Sequence, residues 1–447
     1  MAYGNTINAR LRGVQDIRVK PQSGQIVITT SGGGGISDAP SDGTQYVRSN
    51  AAWVSNLIQS SGTSVRAGVN VLPSNTGANN SGFGYNTLYS NTSGYRNTAV
   101  GAYALYTNQT AYNNTAVGYY AGYSNTTGYD NVYLGYNAGY LNTTQRGNVA
   151  IGSETLQKSG INNTAIGLEC LKNAGTASYN IAIGHRCLRN ASSANLYNIA
   201  IGTNAMDVVT PVTGYQNIAI GSNALRSMGY NVYDNIAIGL DTSSNQGGSS
   251  NVAVGTKALE GTIGQSTSGV VAIGSSALKN KVSGYHTTAV GFMAGFYETS
   301  GINNLFLGAQ SGWDAVANIT TQSNYVVVGN NSITNANIKV GWTVTSDARD
   351  KCNITPCLRG LSFVSSLKPV KYQYRINRES DQAAPEARYR YGFLAQDILE
   401  LEQDESIIID DRDMENLKYN ESSLIPVLVK AIQELKAEVE ALKALQS

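Results

Sequence analysis

Between Asn80 and Gly329 one five-residue phrase keeps returning, as NTAVG, NVYLG, NVAIG, NTAIG, NIAIG, NVAVG and NLFLG. Its glycines fall at 84, 101, 118, 135, 152, 167, 184, 202, 221, 239, 255, 274, 291, 308 and 329, most often 17 residues apart, with a range of 15 to 21. An asparagine stands four residues before the glycine in 12 of these 15 units. A period of this size means stacked units that bury their apolar faces against one another. Each unit is too short for a helical hairpin, and too rich in glycine, asparagine and β-branched residues for a helix. It reads as two short strands joined by turns of Asn, Gly, Ser and Thr. The expected fold is therefore mainly β, a solenoid or roll of about fifteen 17-residue repeats over residues 71–330. At the usual strand spacing such a stack is about 70 Å long.

In the unit NIAIG, Asn217–Gly221, side chains alternate between two faces, and both faces are apolar or tiny. A strand of that kind needs cover on both sides. Stacked coils supply one side, and neighbouring copies of the chain are expected to supply the other. After the glycine many units continue x-x-A-L or x-x-A-G. Cys170 and Cys187 replace that alanine in adjacent units and read as small buried hydrophobes. The recurring asparagines read as a turn ladder rather than as ligands.

Charge is placed unevenly. Residues 346–447 hold 14 Lys+Arg and 18 Asp+Glu, while the other 345 residues hold 17 and 12. That shift marks a boundary near Ser346, with residues 331–345 as a connector. A net charge of +1 argues against a nucleic-acid partner. Four cysteines and two histidines provide neither a disulfide framework nor a histidine-based metal or triad site, so neither metal nor cofactor is expected. MAYGNTINARLRG lacks the apolar run of a signal peptide, and no apolar stretch is long enough to span a bilayer. Synthesis in a cytoplasm without membrane insertion is the expectation.

Residues 1–70 are mixed. IVITT followed by SGGGG reads as a strand running into a flexible link. In ISDAPSDGTQYVRSNAAWV the residues Ala39, Pro40, Asp42, Gly43, Tyr46, Arg48 and Trp53 make a compact pattern that also reads as a hairpin with a Pro/Asp/Gly turn.

The last hundred residues predict a short helix around Leu358–Leu367, a strand VKYQYRI, the segment RYGFLAQDILEL, an acidic turn DDRDMEN and a long final helix. In that helix Ile425, Ile432 and Val439 occupy heptad position a, and Leu428, Leu435 and Leu442 position d. Lys436 and Lys443 at e and Glu438 at g flank the seam. An a/d seam needs partner helices, although Ile/Val at a with Leu at d favours two strands when taken alone.

Several of these motifs resemble known families. The N-x-A-[IV]-G phrase is similar to the β-roll repeats of trimeric autotransporter adhesin heads and, more closely, to repeats of phage tail fibres. The APSDGTQYVRSNAAW stretch resembles a short motif of phage tail proteins. SDARDK, LKPVKYQY, YGFLAQD and SLIPVLVKAIQELKAEV, in that order, resemble the C-terminal intramolecular chaperone of tail fibres, tailspikes and endosialidases. The resemblance implies a trimer whose C-terminal domain drives folding of the β-shaft and then cuts itself off at Thr345–Ser346. Ser346 would be the nucleophile and Lys351 its base, with Gln396 polarising the carbonyl. A serine hydroxyl needs a base beside it. A lysine can serve where burial or a nearby cation leaves it neutral. Attack on the Thr345 carbonyl would give an ester that water opens, and no turnover of an external substrate is implied.

The resulting expectation is a homotrimeric virion tail protein. Its N-terminus would dock on baseplate or tail proteins, and its shaft would meet a host-surface polysaccharide or protein receptor. The alternative is a tailspike enzyme that degrades host polysaccharide, which needs paired carboxylates. The repeats offer only scattered acids: Asp130, Glu154, Glu169, Asp207, Asp234, Asp241, Glu260, Glu298 and Asp314.

Overall fold

The computed structural model describes residues 17–22, 25–30, 46–49, 52–55 and 58–61 as strands, then residues 63–446 except for 192–195, 208–213, 228–231, 245, 262–264, 314–316, 334, 342, 377, 385–386 and 404. Ile17–Gln22 and Gln25–Thr30 form one antiparallel pair and Tyr46–Ser49 and Ala52–Ser55 another, with Arg48 opposite Trp53. Ala39, Pro40, Asp42, Gly43 and the SGGGG link lie outside the described residues.

The repeats wind into a β-solenoid. Fifteen strands of three residues, from Ser81–Phe83 to Val326–Val328, lie one above another in a single parallel ladder, giving fourteen full turns. Register is residue on residue: Thr98, Ala99 and Val100 face Thr115, Ala116 and Val117 of the next coil. The ladder opens on Ser64–Ala67, which pairs parallel with the first coil and antiparallel with Ile58–Ser61.

Among the described residues each coil carries one three-residue strand, where the sequence suggested two strands per coil. A second, two-residue parallel pairing is described only at Gly214–Tyr215 with Val232–Tyr233 and at Gln246–Gly247 with Gln265–Ser266. The cause lies in the backbone. In the coil after Asn97, Gly101 has φ 123°, Tyr103 60° and Leu105 49°. Repeated left-handed residues turn the chain too often for it to extend again. The turns stack as well: Tyr103 N–H donates to the Tyr85 carbonyl at 2.8 Å and Leu105 N–H to Ala121 at 2.9 Å. Gly101 cannot be replaced, because a β-carbon there would stand 2.6 Å from the Gly118 carbonyl oxygen.

The interior is narrow and filled by small residues. The middle residue of each strand and the A-L pair of the following turn are buried, as with Ala99, Ala104 and Leu105. Two coils depart from this. Tyr133 and Phe306 stand where most other strands have alanine, and their rings meet Gly122 and Gly139, and Gly295 and Gly312, where most other coils carry leucine. The alternation of A-L and A-G is thus volume compensation, which close packing demands.

Two asparagine columns hold the turns. Asn97 N–H donates to Asn80 Oδ1 at 2.9 Å, and Asn97 Nδ2 donates to the Ala111 carbonyl at 2.8 Å. The same pattern climbs through Asn114 and Asn131 to Asn251. A second column runs beside it, with Asn108 Nδ2 on Asn91 Oδ1 at 2.6 Å. Buried backbone groups in the turns find partners this way. Cys170 and Cys187 are buried free thiols in adjacent coils.

The outer face of the ladder is a different surface. Val100, Leu134, Ile181, Ile220, Ile238 and Ile273 are 36% to 42% exposed and form part of an apolar stripe along the solenoid. Tyrosines stack in files on the exterior: Tyr95, Tyr112 and Tyr129 with ring centroids 5.0 and 4.7 Å apart, and Tyr89, Tyr106, Tyr123 and Tyr140 at 5.2 Å spacing.

The C-terminal domain is small. A 3₁₀ turn, Ala348–Asp350, precedes helix α1 (Leu361–Ser366). Val370–Tyr372 then pairs antiparallel with Arg390–Gly392. Helix α2 (Ala395–Glu402) leads to a second antiparallel pair, Ile409–Asp410 with Lys418–Tyr419, and the 26-residue helix α3 (Glu421–Gln446) ends the described chain. Ile398, Ile408, Ile409, Leu424 and Val427 form its core, with Phe363, Val364, Leu367 and Phe393 packed against them.

Candidate functional site

Ser346 and Lys351 meet across one turn of chain. Asp347 caps the 3₁₀ turn: its carboxylate accepts from Arg349 N–H at 2.9 Å and pairs with the Arg349 guanidinium at 2.6 Å. The Arg349 side chain, with its backbone N–H, holds the Asp347 carboxyl below its ordinary range. That turn brings Lys351 back over Ser346, and Lys351 Nζ donates to Ser346 Oγ at 2.7 Å. Thr345, Ser346 and Lys351 are all exposed in the single chain. The ammonium and the hydroxyl are thus in direct hydrogen-bond contact across the turn.

Gln396 lies on a different element. It is the second residue of α2, exposed, and shares no described hydrogen bond with Ser346 or Lys351. Cys352 and Cys357 are free and exposed. Tyr372 and Tyr374 contact each other edge-on at 5.5 Å.

Helix α3 presents two faces. Leu424, Val427 and Ala431 are 4% to 5% exposed and pack into the chain's own domain. The heptad residues Ile425, Leu428, Ile432, Leu435, Val439 and Leu442 are 39% to 66% exposed. A single helix thus closes the domain with one stripe and leaves a second apolar seam facing outward.

Two carboxylates that organise this domain gave no sequence signal. Glu402 is buried, and its oxygens accept from Ile407, Ile408 and Ile409 N–H at 2.9, 2.8 and 2.9 Å and from Arg359 at 2.8 Å. Nothing in LEQDESIII distinguishes that acid from its solvated neighbours. Glu434 accepts from Leu361 N–H at 2.7 Å, which caps α1, and this bond lowers the Glu434 carboxyl below its usual range. A β-carbon at Gly360 would stand 2.6 Å from the Glu434 Cδ, so a larger residue there would push the carboxylate off its bond to Leu361. Glu434 occupies heptad position c, which ordinarily reads as a solvated flank.

In the solenoid, Glu154 and Glu169 share the Lys172 ammonium, the Glu169 contact being 2.9 Å, and Glu169 also binds Arg186 at 2.9 Å. These acids are occupied by ion pairs. Among the described residues, no group of three or more His, Cys, Asp or Glu side chains is placed to hold a metal ion, and no helix is long and apolar enough to cross a membrane.

Residues 346–406 match the family model described as chaperone of endosialidase, and the match begins at Ser346. Neither a curated protein nor a solved structure matches the chain. A β-solenoid followed by a C-terminal chaperone domain of this kind fits a phage tail fibre-like or tailspike-like protein. The likeness of the repeats to adhesin heads has no such support.

Proposed function

We propose that this chain is a homotrimeric phage tail fibre or distal tail protein that attaches the virion to a host surface. Its C-terminal domain assembles three chains, sets their register and then cuts itself free between Thr345 and Ser346. The observation that carries this reading is the Lys351 Nζ–Ser346 Oγ contact of 2.7 Å at the first residue of the chaperone match. Two unpartnered apolar surfaces support association: the outward seam of α3 and the stripe along the solenoid. Exposed apolar area of that extent marks interaction surfaces. A parallel ladder of near-identical strands specifies register weakly, and non-local pairing folds slowly. A clamp that associates first answers both problems. Once it is removed the shaft has no route back through its nucleus, so its stability becomes kinetic.

The files of exposed tyrosine on the solenoid are suited to stack on sugar rings or peptide side chains of a host receptor, and the strand pairs before Ser64 would face the tail. Expression of the full chain tests the reading. Two fragments meeting at Thr345–Ser346, with Ser346 as a new N-terminus, are expected. Ser346→Ala should stay uncut yet trimeric. Cleavage that persists in Ser346→Ala, or falls at another bond, removes the dyad. A monomer by light scattering removes the fibre.

A further inference from the structure

Near the C-terminal end of the solenoid the first asparagine column is interrupted by Val270 and Thr287 and resumes at Asn304. At the same level the second column holds Lys281 and Glu298, whose side chains are both fully buried. Lys281 Nζ donates to Glu298 Oε2 at 2.8 Å, to the Gly301 carbonyl at 2.8 Å and to Thr287 Oγ1 at 3.3 Å. The other oxygen of the same carboxyl group, Glu298 Oε1, accepts from Asn304 Nδ2 at 3.1 Å and from Thr287 Oγ1 at 3.4 Å. Asn304 Nδ2 also donates to the Gln322 carbonyl at 2.8 Å, and Asn304 Oδ1 accepts from Tyr325 N–H at 2.8 Å. One buried carboxyl therefore bridges an amine and a carboxamide whose carbonyl is already polarised by a backbone donor.

A salt bridge alone is a poor reason for this arrangement. Burying an ion pair carries a desolvation cost even where its hydrogen bonds are made, and at the same position earlier coils hold Asn91, Asn108, Asn125, Asn142, Ser159, Ala174 and Ala191. We propose that Lys281 and Asn304 are the halves of a self-forming isopeptide cross-link, with Glu298 carrying the protons. Glu298 first takes a proton from the Lys281 ammonium. The neutral Nζ then attacks Asn304 Cγ, and the Tyr325 N–H stabilises the negative oxygen that develops. Protonated Glu298 gives its proton to Nδ2, the Cγ–Nδ2 bond breaks, and ammonia leaves. Glu298 finally takes the extra proton from the new amide nitrogen. The sum is one ammonium, one carboxylate and one carboxamide converted into an amide, a carboxylic acid and ammonia, with no oxidant, metal or cofactor.

The environment favours the first proton transfer. Burial pushes the Lys281 amine below its ordinary value and the Glu298 carboxyl above its own, so both neutral forms become accessible. The three residues come from three successive coils. A bond from Lys281 to Asn304 would staple the solenoid where its asparagine ladder is broken, a short way below the last strand, Val326–Val328.

The full chain, expressed, purified and denatured, provides the test by mass spectrometry after trypsin digestion. An amidated Lys281 is no longer a trypsin site. The expected product is a fragment running from Asn280 to Lys339, uncut after Lys281 and lighter than its sequence mass by one ammonia. Lys281→Met should restore the sequence mass, as should Glu298→Gln. A second protease should release a branched peptide that joins the segments around Lys281 and Asn304. Full sequence mass and normal trypsin cutting after Lys281 in folded, unsubstituted protein would overturn the proposal, whether or not the variants fold. Loss of ammonia that survives Lys281→Met would overturn it too, since the change would then belong to asparagine alone.

Discussion

The Tyr133 ring lies against the α-carbon of Gly122, where an added β-carbon would stand 2.6 Å from Tyr133 Cδ2. The ring replaces a strand alanine, and the glycines at 122 and 139 replace turn leucines. Tyr133→Ala should leave a cavity and cost about 3–5 kcal/mol, the usual range for large aromatic truncations. Gly139→Leu alone should overpack and cost about 1–3 kcal/mol. Leucine itself is compatible with this left-handed position, as Leu105 and Leu156 show at φ 49° and 53°. The double variant rebuilds an ordinary coil and should recover most of both losses. Thermal unfolding of the four proteins measures the coupling, and purely additive losses would reject the compensation.

That pair also shows what the sequence carries and what it hides. The period, the parallel stacking and the asparagine ladder were legible, because each coil repeats the same requirement at the same place. The number of strands per coil was not. Left-handed φ at Tyr103 and Leu105 is imposed by stacking, against the residues' own preference. The seam of α3 could be read from its heptads, whereas the inner stripe at Leu424, Val427 and Ala431 belongs to a contact with the domain that no periodicity announces. Ser346 and Lys351 drew notice only through the surrounding motifs. Glu402 and Glu434 did not, because an acid among acids has no pattern. Lys281 and Glu298 had a usable signal: both stand seven residues after a phrase glycine, where Asn91 and Asn108 stand in other coils.

The asparagine ladder predicts a local cost. Asn114 Nδ2 donates to the Gly128 carbonyl at 2.8 Å, and its Oδ1 accepts the Asn131 N–H at 3.0 Å. Asn114→Ala would orphan both buried backbone groups, at roughly 1–3 kcal/mol each. Hydrogen exchange should show faster opening of the coils on either side of residue 114 than of coils beyond Asn163. Uniform protection along the solenoid would mean that the ladder is ornamental.

Within the C-terminal domain Glu402 should matter more than any exposed acid. Glu402→Ala strips three backbone N–H groups of their acceptor and leaves Arg359, whose side chain is 20% exposed, without its carboxylate. Breaking a buried pair in this way costs about 3–5 kcal/mol. The full chain carrying Glu402→Ala should give little protease-resistant oligomer, while Glu405→Ala should behave as the unsubstituted chain. Equal yields from the two would remove Glu402 from the domain's framework.

The two faces of α3 allow assembly to be separated from folding, and cleavage to be placed after both. Ile432 is 66% exposed on the seam and Leu424 is 5% exposed in the core. Ile432→Glu puts a charge where partner helices would meet and should yield a folded monomer. Leu424→Glu buries a charge and should unfold the domain. Ser346 and Lys351 are exposed in the lone chain, and a lysine acts as a base only once desolvation or a neighbouring cation leaves it neutral. If association supplies that change, the Ile432→Glu monomer should remain uncut although its Lys351–Ser346 contact is intact. Lys351→Arg should trimerise and also remain uncut, because a guanidinium keeps its proton. Light scattering gives the mass of each variant, and N-terminal sequencing reads the cut. A monomeric Ile432→Glu chain that cleaves at the normal rate would show that the dyad is armed within one chain, and that assembly does not gate it.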